Sequence, residues 1–271
     1  MGIAWQAGLV VGLANRGVEL VGADFVLGTS AGSNVGARLA LGHDMTTVVD
    51  QTAVRRVSEH AEATDRQPMG ERLEALMAVM FEAAAIDDPE ASRAHVGTFA
   101  LSADTGPEAG FVGLFDALDG AEWPSGYACT AIDATSGEFV VWDQAAGVSL
   151  QLAVASSCSV PGIFPPVTID GTRYYDGGLR TPLNADVAAG HEVVVAVSCL
   201  SRDMPGSTIL DEIEALRDGG AAAELVEPDE RFVEISGGGM HLMDASRAPA
   251  AYEAGLALGD REGDRLGGLW T

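Results

Sequence analysis

The sequence predicts an α/β fold with a mainly parallel central sheet between helices. Three observations carry this expectation. Apolar, strand-like runs alternate with helix-periodic segments along the chain. The stretch "FVLGTSAGSNVG", residues 25–36, reads as a strand, a sharp turn and a helix. "HEVVVAVSCL", residues 191–200, is a continuous apolar run of the kind that suits a strand buried on both faces.

Taken in order, residues 3–15 form the first helix, with Ile3, Ala7, Val10, Val11 and Ala14 close to one face and Gly17 as the stop. This segment lacks the basic leader of a secretory signal, is too short to span a bilayer, and runs through Arg16 into the next element. A core-packed helix is expected. Phe25, Val26 and Leu27 end a short strand, and residues 33–41 are small and apolar enough for a tightly packed helix. Residues 43–122 turn helical and acidic, as in "MGERLEALMAVMFEAAAI" and "GFVGLFDALDG". No linker bounds them, so they read as a helical insertion in a single domain covering 1–271. "YACTAID", the turn Thr135-Ser136-Gly137 and "EFVVWD" make a hairpin. "SLQLAVASSC" is helical and stops before Pro161, and "PPVTIDGTRYYDGG" holds two short strands about Asp170-Gly171. Within 201–271, "TILDEIEALRDGG" is an amphipathic helix, "RFVEIS" a strand and residues 248–266 a final helix.

Composition narrows the function. The 271 residues are 47% hydrophobic, enough for a sizeable core, and carry a formal charge of −25. That charge argues against a nucleic-acid partner and against electrostatic docking on anionic membranes. The chain has no lysine; every cationic side chain is arginine. Cys129, Cys158 and Cys199 are far apart and set in apolar runs, which predicts buried free thiols and a reducing, cytoplasmic setting. No C-x-x-C or His/Cys cluster points to zinc, and no cofactor or integral membrane segment is expected.

Ser30 is the candidate nucleophile. A G-x-S-x-G pattern is a weak signal in a chain with 34 glycines, but its context is strand, turn and helix. Gly28 and Gly32 allow close approach and strained backbone at Ser30, and Thr29 and Ala31 add little bulk. The N–H of Ala31 is the natural first oxyanion donor, at the positive end of the helix. A serine hydroxyl also needs a base. Of His43, His60, His95, His191 and His241, the last, in "GGGMHLMDAS", could complete a Ser–Asp–His triad. Against it, Ser30 comes too early for the usual hydrolase order, and no histidine sits in a strand-end loop with an orienting carboxylate. "RYYDGGLRTPLNADV" places Asp176 at the end of a short strand, where Gly177 and Gly178 keep its approach open. Taken alone, Asp176-Gly177-Gly178 reads as a β-turn. Asp218-Gly219-Gly220 closes a helix, where glycine is the expected cap.

Together, the early G-T-S-A-G elbow, the "SSCSVPGIFPPV" block and D-G-G after a strand resemble the patatin-like phospholipase family. The resemblance is strongest over 1–42 and 127–200. It implies a three-layer architecture and a Ser–Asp dyad without histidine, with Ser30 as nucleophile and Asp176 as base. It also implies hydrolysis of phospholipid or other lipid esters through an acyl-enzyme, with the substrate in a membrane or micelle. An aspartate with an ordinary pKa near 3.9 is a poor base at neutral pH. Asp176 is therefore expected to be partly desolvated, or its proton transfer to accompany attack. The family's glycine-rich oxyanion loop is matched here only by Gly2, so the resemblance implies an N-terminally truncated form with its start upstream. A catalytically impaired lipid-binding or interaction protein on the same fold is the alternative, since losing one oxyanion donor costs about 10²–10³ in rate. Met77, Met80, Phe81 and Phe115 are readable either as helix core or as a cover over the acyl site.

Overall fold

The computed structural model describes residues 1–49, 68–204 and 206–270. Its elements, in chain order, are α1 (Gly2–Asn15), β1 (Val26–Gly28), α2 (Ala31–Ala40), α3 (Met69–Ala83), α4 (Pro89–Ser102), α5 (Glu108–Val112), β2 (Tyr127–Asp133), β3 (Phe139–Trp142), α6 (Leu150–Ser157), β4 (Val167–Ile169), β5 (Thr172–Asp176), β6 (Val193–Val197), α7 (Ile209–Asp218), β7 (Ala222–Val226), α8 (Glu230–Ser236) and α9 (Ala248–Gly267). The α/β mixture is as expected. Helices fill the described part of 43–122; residues 50–67 of that segment, His60 included, lie outside the described residues.

The strand polarity departs from expectation. The larger sheet has the order β1-β2-β5-β4, with β3 also pairing β2. The pairs β2–β3, β2–β5 and β4–β5 are all antiparallel. Only β6–β7 is a parallel pair among those resolved by register. The reason is local: β2–β3 and β4–β5 are hairpins, and a tight turn reverses the chain. Gly137 (φ +78°) and the pair Asp170 (φ +50°) and Gly171 (φ +83°) supply the left-handed turn positions.

The chain divides into two compact units. The first comprises Met1–Leu27, Arg38–Arg55 and Thr181–Thr271. Here α1 packs on α9 through glycines: a Cβ on Gly8 would lie 2.1 Å from the Tyr252 carbonyl oxygen, and one on Gly255 would lie 2.0 Å from that of Trp5. Small residues let two helix backbones come this close. α1 is buried almost all round, and the Trp5 ring lies 5.1 Å from that of Phe232 of α8, tilted 33° to it. The segment "RFVEIS" is therefore helix, not strand. Asp229 caps it by accepting the Phe232 N–H, Gly237 (φ +59°) ends it, and Phe232 is its buried anchor. β6 is half-buried rather than buried on both faces, since among the described residues its pairing is with β7 alone. α7 covers this pair, with Ile213 and Leu216 against Ala223 and Ala185.

The second unit comprises Gly28–Ala37 and Arg56–Arg180. β2 is buried along nearly its whole length and carries hairpins on both sides. Ile132 and Tyr175 pack with Val96 and Ala100 of α4 and Ala83 of α3. Phe115 is 5% exposed and edge-on to Phe111, so it is core. Met77 and Phe81 of α3 are 63% and 83% exposed, so the core reading fails for them. No helix among the described residues is long and apolar enough to cross a membrane.

Candidate active site

The site begins at the β1–α2 turn. Ser30 lies between strand and helix with φ +53°, in the left-handed region, where a non-glycine residue is held at a cost of about 1–3 kcal/mol. Its neighbours make that conformation tenable. A Cβ on Gly28 would sit 2.4 Å from Ser33 Cα and 2.7 Å from the Gly32 carbonyl oxygen, so only glycine lets strand and helix meet here. The Ser30 carbonyl starts the helix by accepting the Ser33 N–H (2.9 Å) and the Ser33 hydroxyl (2.7 Å). The buried Tyr127 hydroxyl donates to the Ser33 carbonyl at 2.8 Å and holds the first turn of α2. Ala31 opens that helix, where N–H groups have no intrahelical acceptor and the helix dipole is positive. The strain has a measurable consequence. Ser30→Gly is expected to exceed Ser30→Ala in stability by about 1 kcal/mol, because glycine adopts positive φ freely. Urea midpoints of the two variants check this, and equal midpoints would mean that the turn is unstrained.

Asp176 ends β5. Its register opposite Ala131 of β2 and its N–H bond to the Ser159 carbonyl (3.0 Å) fix the backbone. The side chain is 2% exposed. Its carboxylate accepts the Gly178 N–H at 2.8 Å, and the Ser30 side chain is near enough to favour the charged form. Burial pushes the carboxyl up to about 7, against the opposing pull of the Ser30 side chain and the Gly178 N–H. Gly177 is required where the chain crosses β2: a Cβ there would lie 2.3 Å from Thr130 Oγ1. Thr130 Oγ1 is in turn 2.9 Å from Thr29 Oγ1, beside Ser30. A Cβ on Gly178 would be 3.1 Å from Asp176 Oδ1.

The second unit thus gathers Gly28, Ser30, Ala31, Gly32, Asp176, Gly177 and Gly178. Gly2 is the buried first residue of α1 in the first unit. His241 lies beyond α8 against Gly237, and among the described residues no carboxylate hydrogen-bonds its ring. His95 pairs with Glu82 at 3.1 Å, His191 stacks on Phe25, and His43 is partly buried. Asp218 is the exposed last residue of α7, with Gly219 as its cap.

A family model for patatin-like phospholipases matches residues 1–189. The chain belongs to the patatin-like phospholipase family. None of the curated proteins compared with it matches. Patatin-like phospholipases are generally lipid acyl hydrolases, and the matched segment includes both Ser30 and Asp176.

In this patatin-like phospholipase, two neighbours of Ser30 escaped sequence reasoning. The Ser30 N–H donates to Ser157 Oγ at 3.0 Å, and the Cys158 thiol lies 3.0 Å from the Ser30 carbonyl oxygen. The "SSCS" run was visible in the sequence, but nothing local ties it to an elbow more than a hundred residues earlier. Burial raises the Cys158 thiol far above its ordinary range and pushes Cys129 up to about 12, so neither is a nucleophile at neutral pH. All three cysteines are free; Cys199 is only partly buried, short of the full burial expected.

Proposed function

We propose that this patatin-like phospholipase cleaves lipid or phospholipid ester bonds with Ser30 as nucleophile and Asp176 as its base. The observation that carries the reading is a buried, desolvated carboxylate close enough to the Ser30 side chain for Ser30 to pull its pKa down. A hydroxyl is a weak nucleophile without an adjacent base, and a base works best when its pKa lies near the operating pH. Desolvation brings Asp176 to about 7.

The chemistry then follows. Ser30 Oγ attacks the ester carbonyl carbon as its proton passes to Asp176, and the carbonyl π electrons move to oxygen. The Ala31 N–H and the positive end of α2 stabilise that oxyanion. Collapse breaks the bond to the alcohol, which takes the proton from Asp176 and leaves an acyl-Ser30. Water then attacks the acyl carbon, giving its proton to Asp176, and the second collapse returns a proton to Ser30 and releases the fatty acid. The free cysteines fit work in a reducing compartment.

A fluorophosphonate probe tests the proposal. One adduct on the Ser30 peptide, absent in Ser30→Ala, is expected, together with loss of short-chain aryl ester hydrolysis in that variant. Folded protein that does not label would point to a lipid-binding protein without catalysis. Loss of turnover in His241→Ala would replace the dyad by a triad.

A further inference from the structure

The "SSCS" turn takes no part in the steps above, yet it touches both reacting residues. We propose that Ser157 is a positioning residue, whose hydroxyl holds the nucleophile elbow while the neighbouring Ser159 carbonyl holds the base. One turn at the end of α6 thereby sets the spacing of Ser30 and Asp176. The inference rests on the Ser30–Asp176 reading.

Ser157 Oγ accepts the Ser30 N–H at 3.0 Å, and the Ser159 carbonyl accepts the Asp176 N–H at 3.0 Å. Both serines are 0% exposed, so no solvent stands ready to replace either contact. The turn is anchored independently of the elbow. Ser159 Oγ donates to the Pro165 carbonyl at 2.8 Å, and Ser156 Oγ accepts the Trp142 indole N–H at 3.2 Å. The buried Arg72 guanidinium of α3 donates to the Gly162 carbonyl at 2.9 Å and to the Ile163 carbonyl. A rigid support of this kind is what holds a strained turn in a productive geometry. Cys158 is a weaker candidate for the same role. The Ser30 carbonyl already receives the Ser33 N–H and hydroxyl, which occupy its two lone pairs, and a thiol is a weak donor. Cys158 therefore packs, and Ser157 holds.

The test uses the full chain. Ser157→Ala is expected to lower kcat for an aryl ester, and the rate of fluorophosphonate labelling, by about 10²-fold with KM little changed, since a displaced nucleophile costs rate rather than binding. The acid limb of its kcat/KM–pH profile should move to higher pH, because a displaced Ser30 no longer lowers the Asp176 carboxyl as it does in place. A merely structural role would not move that limb. A folded Ser157→Ala protein with wild-type kcat, labelling rate and pH profile overturns the proposal. Amide hydrogen exchange at Ser30 in the wild-type protein is a second reading, independent of turnover and of how the variant folds. Protection is expected, and free exchange overturns the proposal. If wild-type protein neither labels nor hydrolyses, the dyad reading fails, and the Ser30 exchange rate alone decides whether Ser157 holds the elbow.

Discussion

Asp176→Asn is expected to abolish ester hydrolysis and, at pH 8, to give a more stable protein. The loss follows from removing the base, a change of up to about 10⁴-fold in rate. The gain follows from the carboxyl's burial. Its pKa is about 7 in the folded protein against an ordinary 3.8. Between those values the folded state binds the proton that the unfolded state has released, so stability falls as pH rises from about 4 to about 7. Above pH 7 the buried charge carries its full cost, up to about 4 kcal/mol. Asparagine removes the charge and keeps an acceptor for the Gly178 N–H. Urea unfolding at pH 8 and pH 4 should therefore show a gain at the higher pH that vanishes at the lower. In wild type the same titration makes kcat/KM fall about tenfold per pH unit below pH 7. Equal stability of the two proteins at pH 8 would mean that Asp176 is not desolvated, and the dyad would lose its chemical basis.

Gly255→Leu is expected to unfold the first unit or to lower its melting temperature by about 10 °C or more. A Cβ at this position meets the Trp5 carbonyl oxygen at 2.0 Å and the Leu9 nitrogen at 3.0 Å. Both are backbone atoms of α1, so no side chain can swing aside and the helices must separate. Overpacking a core costs about 1–3 kcal/mol even where side chains can adjust. At roughly 2–4 °C per kcal/mol, the upper part of that range already reaches the stated shift. Gly22→Ala is the control, since nothing lies within 4 Å of a Cβ there. Wild-type melting of Gly255→Leu would show that α1 and α9 do not pack backbone to backbone.

What the sequence disclosed was mostly local. Asp170-Gly171 and the 135–137 turn announce hairpins through residues that tolerate left-handed angles, and both hairpins form. The Ser30 elbow is legible because its small neighbours are consecutive. The polarity of the sheet was misjudged because alternation of strand and helix says nothing about which strands pair. "RFVEIS" alternates like a strand, yet Asp229 and Gly237 cap a single helical segment around Phe232, which packs on Trp5 far away in sequence. β7 escaped notice because "AAELV" carries little apolar bulk; it pairs with β6 and shelters Ala223 under α7. The desolvation of Asp176 and the bond from Ser30 to Ser157 arise from packing between distant segments, which no short motif encodes.

The pairing of α1 with α9 also bears on how the chain is made. α1 ends at Asn15 and α9 begins at Ala248. At synthesis rates of about 5–20 residues per second, α1 leaves the ribosome roughly ten to fifty seconds before its partner exists. Throughout that interval its apolar, glycine-notched surface stands open to any other nascent chain or chaperone. The surface that α1 buries against α9 must therefore stay shielded by something else until α9 arrives.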